Sequence, residues 1–443
     1  METSVPAWLR RRATNRSERP AHAWAANVGP GLATVAADND PSGLLTYSLA
    51  GARYGLDLLW VCVLSYPSMV ALQLIAARVA AVTGKGLTEN MREHYSRWLF
   101  LLAVARFLVA NTLNIAADML AMGEAAKLIF GGSVGLFAMV FGGTSLVLQW
   151  WVPYARYAGM LKWLSLTLFC YAATLFFADV PWRAVAWRAI VPDVQWSEEF
   201  LAMLLAVLGT TISPYLLFSQ AEQEVEARSH EGSQANRDKA RTPETSQLRK
   251  VRRQTLARTL LSNAASAVVM IASAATLHMT NRPLRTTSDA ASVLEPAAHG
   301  YASIVLGLAL LGTALLALPP LAGSAAHAAA SSFGWPQGEA RDRRIGHVLI
   351  GLMVVGAMLA WLLLAFKVDP LTACYWTALT NGMTVTPVLI LLVLLSSHRD
   401  AVGSMKAHWF PRALCWLATL ATGAALAAHA LLEFGGKVVE KFG

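Results

Sequence analysis

Two short stretches of this chain set carboxylates, hydroxyls and helix breakers into otherwise apolar sequence. The first reads Asp38-Asn39-Asp40-Pro41-Ser42-Gly43 and the second Thr210-Thr211-Ile212-Ser213-Pro214-Tyr215. Proline removes a backbone donor and clashes with the preceding turn, and glycine and serine lower helicity further. A helix unwound at such a point bares carbonyl oxygens. A carboxylate or hydroxyl beside them can replace part of the hydration shell of a hard cation. Asp40 stands at the first break, and a carboxylate within a membrane span is costly and functional by default. Asp38 either lines the approach or touches the ion. The structural alternatives are simple proline kinks at Pro41 and Pro214 and a Thr210 hydroxyl bonded back onto its own helix.

The elements that would position these groups are membrane helices. The chain has 443 residues, 56% hydrophobic and 14% charged, against about 25% charged in ordinary soluble domains. Its charges cluster between apolar runs of about 20 residues, the length that crosses a bilayer core. Eleven runs can be marked, near 24–54, 57–82, 98–123, 129–152, 158–179, 199–221, 255–279, 301–327, 345–367, 370–396 and 409–434. Lipid leaves no water to satisfy an open backbone, so the spans must be helical. The interrupted spans are the first and the sixth, five apart in helix order. That pairing is the mark of an inverted-repeat transporter with its site at the midplane. The expected organisation is a tail at 1–23, one transmembrane domain at 24–434 and a tail at 435–443. Within the domain, repeat one covers about 24–179, repeat two about 199–396, and an extra eleventh helix 409–434.

The formal net charge of +9 does not mean nucleic acid, because of how it is distributed. Assigning Arg and Lys to alternate sides, with the N-terminus inside, puts 24 inside and 9 outside, with Arg78, Arg106 and Lys162 within spans. That bias satisfies the positive-inside rule. It places the N-terminus in the cytoplasm and, with eleven spans, the C-terminus outside the cell membrane. The charged segment 222–253 is then a cytoplasmic loop or helix extension facing anionic headgroups, and 280–298 an external loop. No removable signal peptide is expected. Cys62, Cys170, Cys374 and Cys415 all fall in apolar spans without metal-ligand spacing, as small buried hydrophobes do. His327 and His347 flank the eighth and ninth spans with no nucleophile or ligand beside them in sequence, so no enzymatic constellation is present.

At both breaks the chain resembles the NRAMP family of divalent-metal transporters. The family's first helix carries Gly-Pro-Gly, eight residues, then Asp-Pro-Gly-Asn; here Gly29-Pro30-Gly31 is followed by eight residues and Asp40-Pro41-Ser42-Gly43. Thr83-Gly84-Lys85-Gly86-Leu87 and Leu161-Lys162-Trp163-Leu164 also look like the family, as does the eleven-span layout. The resemblance implies an inverted-repeat fold of the amino-acid–polyamine–cation transporter type. Aligned on Asp40 and Pro41, the family's metal-binding asparagine becomes Gly43. In the sixth helix the family's Ala-x-x-Met-Pro-His becomes Thr210 to Tyr215, with Ser213 for the metal-binding methionine and Tyr215 for the histidine. Anchored on Lys127 to Gly131, the third-helix Asp-x-x-Glu implicated in proton transfer becomes Ile115-Ala116-Ala117-Asp118.

Those departures shift the implied cargo. A thioether favours softer transition metals, whereas carboxylate, hydroxyl, carbonyl and water favour hard ions. Mg²⁺ sheds water reluctantly, so a roomier, oxygen-lined site suits it largely hydrated. The pattern is similar to the divergent NRAMP-related magnesium transporters and implies weak proton coupling. The implied partners are a divalent cation as cargo and the lipid bilayer, with no resident cofactor. Asp40 is the expected central carboxylate. Gly43 and Thr210 would offer carbonyls, and Thr211 and Ser213 hydroxyls or waters. Asp38, Asp118, Tyr215, Gln220, Glu224 and Asn381 are candidates for the surrounding cavity and path. The rivals are a proton-coupled Mn²⁺/Fe²⁺ symporter, an organic-solute symporter on the same scaffold, and a non-transporting membrane receptor.

Overall fold

The computed structural model describes residues 38–151, 161, 164–234, 244–335, 339–398 and 409–442. The tail 1–23, Gly29-Pro30-Gly31, the first half of the first span, and Lys162 and Trp163 of Leu161-Lys162-Trp163-Leu164 lie outside them. Every regular element among the described residues is helical. The spans are α1 (Pro41–Tyr54), α2 (Leu59–Thr83), α3 (Arg97–Phe130), α4 (Val134–Trp151) and α5 (Phe169–Phe177, entered by a 3-10 turn). Then come α6a (Glu198–Thr211), α6b (Pro214–Gln234), α7 (Glu244–Ser273, continued by a π turn to His278), α8 (Ala302–Ser332), α9 (Glu339–Ala365), α10 (Pro370–Leu395) and α11 (Trp409–Phe442). Eight spans are long and apolar enough to cross a bilayer, α4 and α5 are shorter apolar helices, and α1 is the described half of the first span. Among the described residues the helices follow the order of the expected runs.

Two boundaries differ from expectation, and a third stretch takes the second of its two expected forms. α3 runs past residue 123 to Phe130, because only Gly131 and Gly132 adopt the left-handed backbone (φ 70° and 97°) that turns the chain. The charged stretch 222–253 is mostly helix: α6b continues to Gln234 and α7 begins at Glu244. The stretch 280–298 is no open loop. It folds into a 3-10 turn and a short helix that bury Ala290, Val293 and Leu294. Asp369, the N-cap of α10, accepts from Thr287 N and Oγ1 at 3.1 Å each and holds that cap down.

Contacts sort the helix ends into two sets. Gly55 packs on His278 at one end; at the other, Gly86 packs on Glu222 and Arg92 donates to the Ser331 carbonyl at 2.8 Å. His327, solitary in sequence, stands 3.6 Å from Glu222 at this second end, and His347 Nδ1 engages the Arg343 carbonyl of its own helix. Exposed aromatics ring both ends: Trp98, Phe333 and Trp409 at one, Phe177, Trp182, Trp187 and Trp196 at the other. Such belts sit at headgroup level.

The centre of the bundle is α6, enclosed along its whole apolar stretch, whereas α9 mostly faces lipid. α6a meets α10 backbone to backbone. A Cβ on Gly209 would fall 2.2 Å from Gly382 N, and one on Gly382 would fall 2.1 Å from the Leu205 carbonyl oxygen. Gly209→Val should therefore lower the thermal midpoint of the purified protein, since overpacking costs about 1–3 kcal/mol. Gly323→Val is the control, because nothing lies within 4 Å of a Cβ there. Equal midpoints in the two variants would contradict this packing.

Candidate ion-binding site

The first break is a helix restart. Asp40 is the N-cap of α1 and Pro41 its first residue, the pair that most readily begins a helix because proline's missing N–H is one the helix cannot use anyway. Asp40 Oδ1 accepts from Gly43 N at 2.7 Å and Ser42 Oγ at 3.0 Å, and Oδ2 accepts from Asn114 Nδ2 of α3 at 2.8 Å. A carboxylate offers about four lone-pair directions. Three are used, which leaves one on Oδ2 for a cation. Because the helix restarts at once, Gly43 lies in its first turn with its carbonyl committed to the helix ladder. The expected Gly43 carbonyl ligand is thus not free, and the glycine sits closely packed between the breaks: a Cβ there would lie 3.2 Å from Asp40 Oδ1 and 3.9 Å from Thr210 Cβ.

The second break lies against the first. α6a ends at Thr211 and α6b starts at Pro214. Having no N–H, Pro214 leaves the Thr210 carbonyl without its helical donor. The Thr210 and Thr211 hydroxyls both bond back to the Val207 carbonyl, at 3.0 and 2.6 Å. Thr211 Oγ1 also meets Tyr47 OH at 2.9 Å, tying α6a to α1. Thr210 accordingly offers its carbonyl, while Thr211 is a strut. Ser213 is buried in the break. Gly43 and Thr210 bring the two breaks together, and Asp40 is 5% exposed, so the site is enclosed.

Asp118 is fully buried one turn beyond Asn114. Its oxygens have no side-chain hydrogen-bond partner; the Ser42 backbone N–H and the Asp40 carboxylate are the groups that act on it. Ile115, where the family has its first acid, packs against Gly356 of α9, a position where a Cβ would fall 2.5 Å from Ile115 Cγ2. Asp38 makes no hydrogen bond within the Asp40 cluster, although Asp40 is near enough to act on it electrostatically. It pairs with Arg258 of α7, Nε to Oδ2 3.5 Å, and lines a narrow polar cavity with Tyr47, Gln73, Thr210, Thr211 and Thr259. The cavity has room for roughly one water. Tyr215 and Gln220 are buried on α6b, and Glu224 is half-buried further along it. At about 1.5 Å per residue, Gln220 and Glu224 lie roughly 10 and 16 Å beyond Ser213. Asn381 is buried beside Gly382 at the α6a contact and does not line the cavity.

The sequence reading missed Asn114, Asn39, Gln73 and the α7 row. Asn39 is clamped by α7, donating to Ser262 Oγ at 3.1 Å and accepting from Ser266 Oγ at 2.9 Å. Asn263 Nδ2 donates to the Cys62 carbonyl at 2.8 Å. Two signals were available: Asn114 four residues before Asp118, and polar residues at 258–259, 262–263 and 266, one helical turn apart in an apolar span. Arg258, counted above with the cytoplasmic charges, belongs inside the bundle; the positive-inside bias survives its removal.

Among the described residues no three His, Cys, Asp or Glu side chains cluster. The donors at the breaks are oxygens, from a carboxylate, a bared carbonyl and hydroxyls, a set that suits a hard cation bound partly through water. The family model described as Nramp, natural resistance-associated macrophage protein-like, matches residues 31–431. The chain belongs to the NRAMP family. A divalent metal cation transporter MntH of Granulibacter bethesdensis is 24% identical over 417 residues, covering 91% of this chain and 87% of that protein. An MntH of Verminephrobacter eiseniae is 30% identical over 199 residues, 43% of this chain and 44% of that protein. The crystal structure of the Eremococcus coleocola manganese transporter shares the fold, with TM-score 0.72 and 18% identity over 96% of this chain and 91% of that one. The bundle is thus an NRAMP bundle, multi-pass and of inverted-repeat type.

Proposed function

We propose that this NRAMP chain carries a hard divalent cation, most readily a largely hydrated Mg²⁺, into the cell by alternating access without strong proton coupling. One observation carries the reading: the groups offered at the two breaks, the Asp40 carboxylate, the Thr210 carbonyl freed by Pro214 and the buried Ser213 hydroxyl, are all oxygens, with no thioether among them. The relatives' names, divalent metal cation transporter and manganese transporter, support a divalent cargo. The lost thioether supports the harder end of that class. With Ile115 packed into apolar surroundings and Tyr215 in place of the histidine, the usual proton path is incomplete. A negative-inside potential can drive entry instead, since a dication gains about 4.6 kcal/mol across 100 mV.

Asp118 favours a second reading. A buried carboxylate with no side-chain hydrogen-bond partner, on which Asp40 acts electrostatically, supports a proton relay. That supports the proton-coupled Mn²⁺/Fe²⁺ class. The two readings separate in liposomes carrying a lumenal pH dye with the membrane potential clamped. The uncoupled carrier admits Mg²⁺ without acidifying the lumen. Mg²⁺-dependent acidification in wild type that disappears in Asp118→Asn would return the chain to the proton-coupled class.

The N-terminus lies on the cytoplasmic side in this reading, in the inner membrane, and the C-terminus outside. α7 has 30 residues, roughly 45 Å of helix, with Ser246 in its first turn and the segment that leads to Thr286 beyond its other end. A cysteine at Ser246 should label from the cytoplasmic face alone and one at Thr286 from the outer face alone. Labelling of both from one face would reject the topology.

A further inference from the structure

α7 presents a polar row to α1 and α2, and its members are not held alike. Ser262, Asn263 and Ser266 make hydrogen bonds of 2.8–3.1 Å to Asn39 and the Cys62 carbonyl. Arg258 is bound unevenly. Its Nη2 donates to Gln73 Oε1 of α2 at 2.7 Å, while its Nε stands 3.5 Å from Asp38 Oδ2 and donates to nothing. The amide is therefore the anchor and the carboxylate the looser partner. Both charged side chains are largely buried, 15% exposed for Arg258 and 4% for Asp38. The water-sized cavity opens beside them, bordered by Thr210 and Thr211 of the sixth-span break.

Breaking a buried ion pair is costly because it strands the remaining charge. Here neither charge need be stranded. A dication entering the cavity would take Asp38, and Gln73 would keep hold of the guanidinium. We propose that Arg258 is a tethered counter-cation that competes with the divalent cargo for Asp38. Without cargo it balances Asp38; cargo arriving at Asp40 displaces it and recruits Asp38 as a second carboxylate. The empty carrier then reorients with Asp38 neutralised by Arg258. This inference rests on the divalent cargo proposed above and not on which dication it is.

The test is KM and kcat for Mg²⁺ and Mn²⁺ uptake by full-length protein in liposomes. Arg258→Gln frees Asp38, and KM should fall about fivefold or more, the low end of coupling between interacting sites, without a rise in kcat. Guanidinium chloride should then inhibit that variant competitively, and lose this effect when Asp38→Asn is added. Gln73→Leu cuts the tether and lets the guanidinium close on Asp38, so KM should rise. Mere structural damage would not move the two KM values in opposite directions. An unchanged or raised KM in Arg258→Gln, or equal guanidinium inhibition with Asp38→Asn present, overturns the inference. If Arg258→Gln yields no folded protein, Gln73→Leu decides alone, and an unchanged or lowered KM overturns it. A wild type that moves neither ion sinks the divalent-cargo reading and this inference with it; a working wild type with unshifted variants sinks only the inference.

Discussion

Asp40→Asn should reduce divalent-cation uptake by about 100-fold or more while leaving a folded, uniform protein. At an effective dielectric near 20, a dication 4 Å from a carboxylate gains about 8 kcal/mol, and a third of that surviving desolvation is roughly 100-fold. The fold survives because an asparagine oxygen can still accept from Gly43 N and Ser42 Oγ. Its amide would then face the Asn114 amide. Asn114 Oδ1 has no partner of its own, so rotating that side chain restores a donor–acceptor pair. The measurement is uptake alongside the thermal midpoint. Uptake within about threefold of wild type, with an unchanged midpoint, would mean that Asp40 is a structural cap and not the carboxylate that meets the ion.

The second large effect is on selectivity. A side chain added at Gly43 would project between Asp40 and Thr210, and Ser213 is buried at the α6 break. Gly43→Asn with Ser213→Met should therefore restore an amide oxygen and a thioether at the two breaks. The ratio of Mn²⁺ to Mg²⁺ uptake at equal concentration should rise about tenfold or more, with Mg²⁺ uptake weakened in absolute terms. Either single change should do less, because each supplies only part of the coordination. An unchanged ratio in a folded double variant would show that these positions do not choose the ion.

The layout and the two breaks were legible because both rest on local chemistry. A run of apolar residues long enough to cross lipid needs no partner to be recognised, and neither does Asp-Pro or Ser-Pro inside one. What a break becomes was less legible. Asp40 and Pro41 restart the helix immediately, so the Gly43 carbonyl enters the helix ladder. Partners from distant helices were not legible at all. The pairs Asn114–Asp40 and Arg258–Asp38 join residues 74 and 220 positions apart in sequence. Periodicity shows that Asn114 and Asp118 share a face of α3, but not which helix that face meets. Arg258 was misplaced because Arg249, Arg252 and Arg253 run straight up to it, and nothing local marks where α7 leaves water.

The central claim is a hard-ion site between the two breaks, and its most direct test compares Mg²⁺ and Mn²⁺ on one preparation of wild-type protein. Liposomes loaded with dyes for each ion, held at a fixed negative-inside potential, give influx and mutual competition together. The account predicts saturable Mg²⁺ influx that Mn²⁺ inhibits only at comparable concentration, with Asp40→Asn silent towards both. Manganese entering in strong preference, and blocking Mg²⁺ at far lower concentration, would contradict it.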